Sequence, residues 1–135
     1  MRGGFARAYT DGQTRSYEGE VKMFAQQAGA KVQDCPVRME VRAYFPIPKS
    51  YPKWCIQACI MEVFRYVKKP DTDNLSKIKD ALNNVAWKDD SQVYDERIIK
   101  HYSRTPRMEV TIWYEKQCEK GDVIPGLLES AQKHA

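Results

Sequence analysis

Acidic residues cluster in two short stretches of the sequence, one at Asp71 and Asp73 and the other at Asp89 and Asp90. Adjacent carboxylates repel one another unless a divalent cation lies between them. Because all of these ligands would be oxygen atoms, the cation they suit is Mg²⁺ or Mn²⁺. The two stretches therefore predict chemistry that depends on a divalent metal, and Lys77 adds a cation between them.

Each of these residues also has a purely structural interpretation. Asp71 and Asp73 lie where a helix is predicted to begin, and carboxylates there accept backbone N–H groups and complement the helix dipole. Asp89 and Asp90 are equally typical of a turn before a strand. Lys77 follows Asp73 by four residues, which is the spacing of an ion pair within one helix. Capping, a turn and a local ion pair thus stay open as alternatives at this point.

Two other metal-dependent patterns are excluded by residue type and order. A calcium-binding loop beginning at Asp71 would need Gly and Glu where the chain has Ser76 and Leu82. The PD…(D/E)xK pattern of many nucleases needs its Lys downstream of the Pro-Asp pair. The chain has its only Glu-x-Lys upstream of that pair, at residues 20–22.

Three helices are predicted from the spacing of apolar residues. The first runs from Thr14 to a stop at Gly29, the second from Trp54 to Phe64, and the third from Asp71 to about Val85. The third helix has an apolar stripe formed by Leu75, Ile78, Leu82 and Val85. Its charged residues Asp73, Lys77 and Asp80 lie on the opposite side of a helical wheel, so they are predicted to point away from the core.

Three strands are predicted from alternating apolar and polar residues. They cover residues 36–46, Gln92 to Tyr102 and Arg107 to Glu115. The last two follow one another closely, with a tight turn at Thr105-Pro106, so they are predicted to pair as a hairpin.

The composition is typical of one globular domain with a core of its own. The chain has 135 residues, of which 42% are hydrophobic and 30% are charged. No apolar run approaches the length of a membrane span and the first residues lack a secretion signal, so a cytoplasmic protein without membrane contact is expected.

The four cysteines form no CxxC pair, which argues against a zinc site. They are expected to be small buried apolar residues, with Cys55 and Cys59 on one helix face.

The charge balance changes along the chain. Residues 1–70 carry 12 Lys and Arg against 6 Asp and Glu, whereas residues 71–135 carry 10 against 12. A basic half beside an acidic cluster suits a protein that binds a polyanion and performs metal chemistry on it. The candidate phosphate contacts, each of which could equally be a solvated surface charge, are Arg7, Arg38, Arg42, Lys53, Lys68 and Lys69. Tyr9, Trp54 and Trp87 could stack on unpaired bases, although burial in the core is the simpler interpretation.

Residues 69–93, with the sequence KPDTDNLSKIKDALNNVAWKDDSQV, resemble the signature of the RusA-type Holliday junction resolvases. The family's pattern is approximately K-P-D-x-D-N-L-x-K, then D-A-L-N, then D-D-x-Q-V, and the chain matches its internal spacing. A weaker resemblance covers Arg7, Tyr9-Thr10, Thr14 and Tyr17-Glu18. Together the two matches extend from residue 2 to residue 115.

The resemblance implies a small α+β domain over residues 1–119, with a mixed or antiparallel sheet flanked by helices. A tail over residues 120–135 would follow, and it could form a short helix around Gly126 to Gln132. The implied protein is a homodimer, often encoded by a phage or prophage, that acts in the bacterial cytoplasm on four-way or other branched DNA and on no small molecule. It would make paired symmetric nicks during recombination and repair, with Mg²⁺ as its cofactor and Mn²⁺ as a substitute.

The resemblance also assigns roles by position. The metal ligands would be Asp71, Asp73 and Asp90, and Lys77 would be the catalytic lysine. Asn74 and Asp80 match the pattern too, but they are expected to orient the ligands or hold the helix. The implied DNA-binding residues are Lys68, Lys69 and Arg7.

Two rival functions and one departure from the family accompany this interpretation. The same carboxylates would serve a nuclease that cuts flaps or forks. The alternative that is not an enzyme is a catalytically silent DNA-binding dimer.

Family members usually open with a strand and a basic segment before the first helix, whereas this chain begins almost inside that segment. A strand and some basic DNA contacts are therefore expected to be missing.

Overall fold

The computed structural model describes residues 2–8 and 17–122, with side chains from Gly19 onward. The helices are α1 (Tyr17–Gln27), α2 (Lys53–Ile60), α3 (Thr72–Ser76) and α4 (Ile78–Ala81). The strands are β1 (Arg2–Ala8), β2 (Val37–Pro46), β3 (Val93–Ser103) and β4 (Arg107–Tyr114). Single turns of 3₁₀-helix lie at Asp90–Gln92 and Lys120–Asp122. The predicted helix around Gly126 to Gln132 and the predicted helix start at Thr14 lie outside the described residues.

The four strands form one mixed sheet in the order β1, β4, β2, β3. Strand β2 runs parallel to β3 and antiparallel to β4, and β4 pairs with β1 in antiparallel fashion. This confirms the predicted α+β class with a mixed sheet flanked by helices. None of the helices within residues 17–122 has the length and apolar character that a membrane span requires.

The predicted hairpin between β3 and β4 is wrong, because β2 lies between these two strands. The short connection after Ser103 passes the end of β2 instead of folding one strand onto the other. Strand β2 takes the central place because its alternate side chains are nearly all fully buried. They are Val37, Met39, Val41, Ala43 and Phe45. A central strand of this kind needs a partner on each side to satisfy its backbone hydrogen bonds.

The core lies on the face of the sheet that carries the helices. Val21 and Ala25 of α1 pack there against the buried side chains of β2 and β4. The apolar stripe predicted for residues 71–85 is confirmed, because all four of its members are buried in the same cluster. The other face of the sheet carries charged and aromatic side chains, including Arg42 and Tyr44 of β2.

The helix predicted from Asp71 to Val85 is shorter than expected and consists of two pieces, α3 and α4. Beyond α4 the chain turns at Asn84, which adopts a left-handed conformation with φ 64°. Asparagine tolerates this conformation better than most residues. The turn is closed by the indole of Trp87, which is fully buried and donates a hydrogen bond to Asn83 Oδ1 at 3.1 Å. Because Trp87 is fully buried, it is a core residue and is not available to stack on a DNA base.

A strand does precede the first helix, so the expectation of a missing strand is wrong. Residues Arg2–Ala8 form β1, which pairs with β4 along its whole length. Alternation alone did not indicate this strand, because two of its seven residues are glycines.

The cysteines differ from one another in burial. Cys55 and Cys59 of α2 are buried as predicted, and burial raises the pKa of the Cys59 thiol. Cys118 is exposed, so the expectation that all four would be buried is wrong. Cys118 lies after the last strand, in a polar segment that does not pack into the core.

Candidate active site

Asp71 stands at the N-terminal end of α3 with an extended backbone, and its carbonyl accepts the amides of Asn74 and Leu75. Its carboxylate makes no capping hydrogen bond. Asp73 lies in the first turn of the same helix, and both side chains are exposed. Among the residues described with side chains, none donates a hydrogen bond to either carboxylate or forms an ion pair with it. The capping alternative is therefore wrong for the Asp71 side chain, and the lone pairs of both groups remain available.

The segment that leads into Asp71 is held by hydrogen bonds to three consecutive carbonyl groups. Lys100 Nζ, on β3, donates to the carbonyls of Lys68 at 2.8 Å and of Pro70 at 3.0 Å. The hydroxyl of Tyr66 donates to the carbonyl of Lys69 between them. Neither donor was predicted from the sequence. Lys100 is distant in sequence from the motif that contains Asp71, and it belongs to no motif of its own.

Asp89 and Asp90 are neighbours with different environments. Asp89 caps the 3₁₀ turn, accepting hydrogen bonds from the amide of Ser91 at 3.1 Å and from its hydroxyl. In return, Gln92 Oε1 accepts the amide of Asp89 at 3.0 Å, which completes a capping box. The hydrogen bonds from Ser91 lower the pKa of the Asp89 carboxyl. The turn alternative is thus correct for Asp89.

Asp90 is half-buried, and among the residues described with side chains it has one hydrogen bond to a side chain outside its own turn. Asn83 Nδ2 donates to Asp90 Oδ1 at 3.5 Å, and the same amide group accepts the indole of Trp87 through its oxygen. Asn83 is therefore fixed by a buried residue, and it can orient the carboxylate of Asp90. Sequence analysis did not assign this role to Asn83, although it lies within the D-A-L-N part of the motif.

Lys77 caps the C-terminal end of α3, and its side chain is exposed. No ion pair joins it to Asp73 or to another acidic group in the described part of the chain, so the ion-pair alternative is wrong. The neighbouring Lys79 behaves differently, since its Nζ lies 2.9 Å from Glu96 Oε1 on β3. Glu96 also accepts the hydroxyl of Ser76 at 2.9 Å. Glu96 thereby connects α3 and α4 to the sheet, whereas Lys77 has no such partner among the residues that the structure describes.

The described residues contain no preformed cluster of three His, Cys, Asp or Glu side chains that could enclose a metal ion. The donor set nevertheless fits Mg²⁺, which usually keeps several waters and binds one or two carboxylates together with substrate phosphates. Asp71 and Asp73 are exposed carboxylates to which no described side chain donates a hydrogen bond, as this mode of binding requires. Asp80 is also exposed, on the first turn of α4.

The candidate DNA contacts fall into two groups. Lys68 and Lys69 are exposed beside the start of α3, and Lys68 Nζ lies 5.6 Å from the centre of the Tyr51 ring. Arg38 and Arg42 are held by carboxylates instead, with Arg38 Nε 3.2 Å from Asp95 and Arg42 Nε 3.1 Å from Glu40. Both arginines are therefore paired with carboxylates on the outer face of the sheet.

Four candidate DNA contacts remain. Two of them are exposed at the start of α2, and the structure does not describe the side chains of the other two. Lys53 and Trp54 are exposed at the start of α2. The side chains of Arg7 and Tyr9 lie outside the described residues.

Comparison with known proteins places this arrangement in a family. A protein of Bacillus subtilis (strain 168) described as "Uncharacterized protein YqaN" is 46% identical over 80 residues, which cover 57% of this chain and 56% of that protein. The chain thus matches about half the length of this curated relative. The family model described as "Endodeoxyribonuclease RusA" matches residues 1–113, which include all four strands apart from the last residue of β4 and all the candidate site residues. The chain therefore belongs to the RusA endodeoxyribonuclease family.

Proposed function

We propose that the protein is a Mg²⁺-dependent endodeoxyribonuclease that resolves four-way DNA junctions by paired symmetric nicks. The observation that carries this proposal is a pair of exposed carboxylates, Asp71 and Asp73, with the ammonium of Lys77 one helical turn away, none of which has a hydrogen-bond or ion-pair partner among the side chains that the structure describes. Exposed carboxylates whose lone pairs are not taken up by protein donors can bind a Mg²⁺ ion that keeps several of its waters. The family membership supplies the substrate class, namely branched DNA.

In this proposal Asp71, Asp73 and Asp90 hold Mg²⁺, and Mn²⁺ is an effective substitute. When bound, the ion lowers the pKa of an attacking water and stabilises charge on the phosphate oxygens. The Asn83 amide keeps Asp90 oriented through its hydrogen bond. Lys77 makes no ion pair within the described part of the chain, so its ammonium is available to face the scissile phosphate, where negative charge grows during hydrolysis. The products carry 5′ phosphates, so the nicks can be sealed by a ligase.

DNA binding rests on cations that flank this site. Lys68 and Lys69 are exposed immediately upstream of Asp71, and we assign the same role to Arg7 on β1. Contacts of this kind neutralise phosphates and position the duplex arms without reading sequence. Two symmetric nicks require two active sites, so we propose that a homodimer is the active species and that it acts in the bacterial cytoplasm.

Product mapping and sedimentation test this function together. The protein is incubated with Mg²⁺ and a four-way junction, a flap, a fork or a linear duplex, each labelled on one strand at a time. We expect two nicks at symmetric positions in the junction, ends that a ligase can seal, and a dimer in solution. A monomer that cuts flaps or forks faster than the junction would favour the general-nuclease alternative. A dimer that binds the junction without cutting it would favour the silent DNA-binding alternative.

The different environments of Asp89 and Asp90 give a prediction with opposite effects. Asp89→Ala removes the cap of the 3₁₀ turn, so we expect a lower melting temperature and a cleavage rate close to that of the wild type. Asp90→Asn should instead abolish cleavage and leave the melting temperature nearly unchanged. Circular dichroism and an initial-rate assay measure the two effects. Equal loss of cleavage in both variants would mean that the alignment of this chain to the family pattern is wrong by one residue.

The stabilising effect of Asp89 should also depend on pH. Its carboxyl has a lowered pKa in the folded protein, so its contribution to stability is complete above the ordinary value of 3.8 and is lost as the pH falls below it. The melting temperatures of the wild type and of Asp89→Ala should therefore differ at neutral pH and converge in acid. A difference that stays constant down to low pH would contradict the capping role.

A further inference from the structure

We infer that Lys100 is a positioning residue for the metal site, acting through the segment of residues 68–70 and not through contact with the metal or with DNA. This inference rests on the proposed function, because it assumes that Asp71 is a metal ligand. Lys100 lies on β3, far from the motif in sequence, and the resemblance assigns it no role.

The geometry supports this role because the lysine joins both ends of the segment to the sheet. Lys100 Nζ donates to the carbonyl of Lys68 at 2.8 Å and to the carbonyl of Pro70 at 3.0 Å. Pro70 is buried and immediately precedes Asp71. The backbone that carries the Asp71 carboxylate is therefore anchored to a strand of the sheet by an ammonium group.

Tyr66 completes the anchor from the other side. Its hydroxyl donates to the carbonyl of Lys69, its ring stacks on Phe45 of the core with 4.1 Å between centroids, and Lys100 Nζ lies 5.2 Å from the centre of the Tyr66 ring. The carbonyls of residues 68, 69 and 70 are thus all bound, by two side chains that also contact each other. Such an arrangement restricts the backbone torsions of the segment and holds the first metal ligand in one orientation.

A direct catalytic or DNA-binding role for Lys100 fits the structure less well. Two of its three N–H groups are committed to carbonyl oxygens, and its side chain is only half-exposed, whereas Lys68, Lys69 and Lys77 are exposed. Replacement of Lys100 would leave the carbonyl of Pro70 without its donor in a partly buried place. An unpaired buried acceptor is costly, so the segment would move to regain hydrogen bonds with water.

The test compares Lys100→Met, Lys100→Arg, Tyr66→Phe and a control, Arg97→Met. Methionine is an unbranched side chain one atom shorter than lysine and donates nothing, and arginine keeps the donors. Arg97 is an exposed cation on the same strand, and its guanidinium lies 4.0 Å from Glu40 on the outer face of the sheet. Three quantities are measured: hydrogen exchange of residues 66–76 without metal, Mn²⁺ binding by electron paramagnetic resonance, and the separate kcat and KM for junction cleavage.

For Lys100→Met we expect faster exchange confined to residues 66–76 and a loss of Mn²⁺ affinity and of kcat of about 10-fold or more, the scale for removing a group that orients a metal ligand. KM for DNA should change little. Tyr66→Phe should show the same pattern more weakly, Lys100→Arg should recover most of the loss, and Arg97→Met should match the wild type.

Several results would overturn the inference. Unchanged exchange and Mn²⁺ affinity in Lys100→Met, a rise in KM alone, or equal effects in Arg97→Met would each do so. If Lys100→Met does not fold, unchanged exchange in Tyr66→Phe and Lys100→Arg together with unchanged Mn²⁺ affinity in Tyr66→Phe would overturn it as well. A wild-type protein that cuts no DNA would refute the proposed function, whereas the hydrogen-exchange comparison would still decide whether Lys100 positions the segment.

Discussion

Replacing any one of Asp71, Asp73 and Asp90 by asparagine is expected to abolish Mg²⁺-dependent cleavage of a DNA junction. Asparagine keeps the size of the side chain but removes one negative charge and one strong oxygen ligand, which weakens Mg²⁺ binding. Junction binding without metal should be kept or strengthened, because the same change reduces the repulsion between the site and the DNA phosphates. Single-turnover cleavage and gel-shift assays measure the two effects.

Asp95→Asn is the matched control for these variants. It makes the same chemical change at an exposed aspartate on β3, where Asp95 pairs with Arg38 on the outer face of the sheet. We expect this variant to cut at the wild-type rate. Cleavage at the wild-type rate by the Asp71, Asp73 or Asp90 variant would show that this residue is not an essential metal ligand.

The second large effect is expected at Lys77. Lys77→Ala should lower the cleavage rate by at least ~10²-fold, the scale for removing one group that stabilises charge in a transition state. Metal affinity and the melting temperature should change little, because Lys77 makes no ion pair in the described part of the chain that the substitution could break. Lys77→Arg should not restore the full rate, since a planar guanidinium does not replace a compact ammonium.

Rapid-quench kinetics at saturating Mg²⁺ measure this effect, with Lys116→Ala as the control. Lys116 is an exposed lysine beyond the end of β4, and its Nζ lies 4.0 Å from Asp122 Oδ2. A Lys77→Ala protein that melts at a lower temperature but cuts at the normal rate would show that the lysine is structural.

The periodic parts of this fold could be predicted from the sequence, and the pairing of its strands could not. The stripe of Leu75, Ile78, Leu82 and Val85 was predicted and is buried, because apolar spacing reports directly on which face of a segment meets the core. The order of β2, β3 and β4 depends on contacts between segments that are distant in sequence. Strand β3 lies at one edge of the sheet and is exposed along much of its length, so its residues show little alternation that could indicate its neighbour.

The candidate site shows the same division between local and distant information. The resemblance assigns roles to Asp71, Asp73, Asp90 and Lys77 by position, but residue types alone could not choose between Asp89 and Asp90. The structure distinguishes the two, because Asp89 uses its carboxylate to cap a turn.

The residues that hold the site in place were harder to find. Lys100 and Glu96 contact the site region from β3 through a backbone carbonyl and a serine hydroxyl, which leave no signature in the sequence. Asn83 lies within the motif, yet its role depends on the turn that Trp87 closes.

We propose that the carboxylates beside Lys77 form the active site of a junction-specific nuclease. The most direct test is the initial rate of Mg²⁺-dependent cleavage of an immobile four-way junction, compared with a linear duplex that contains the same sequences. We predict rapid cleavage of the junction by the wild-type protein, much slower cleavage of the duplex, and no cleavage of either substrate by Asp90→Asn. Equal rates on junction and duplex, or cleavage of the junction by Asp90→Asn at the wild-type rate, would contradict the account.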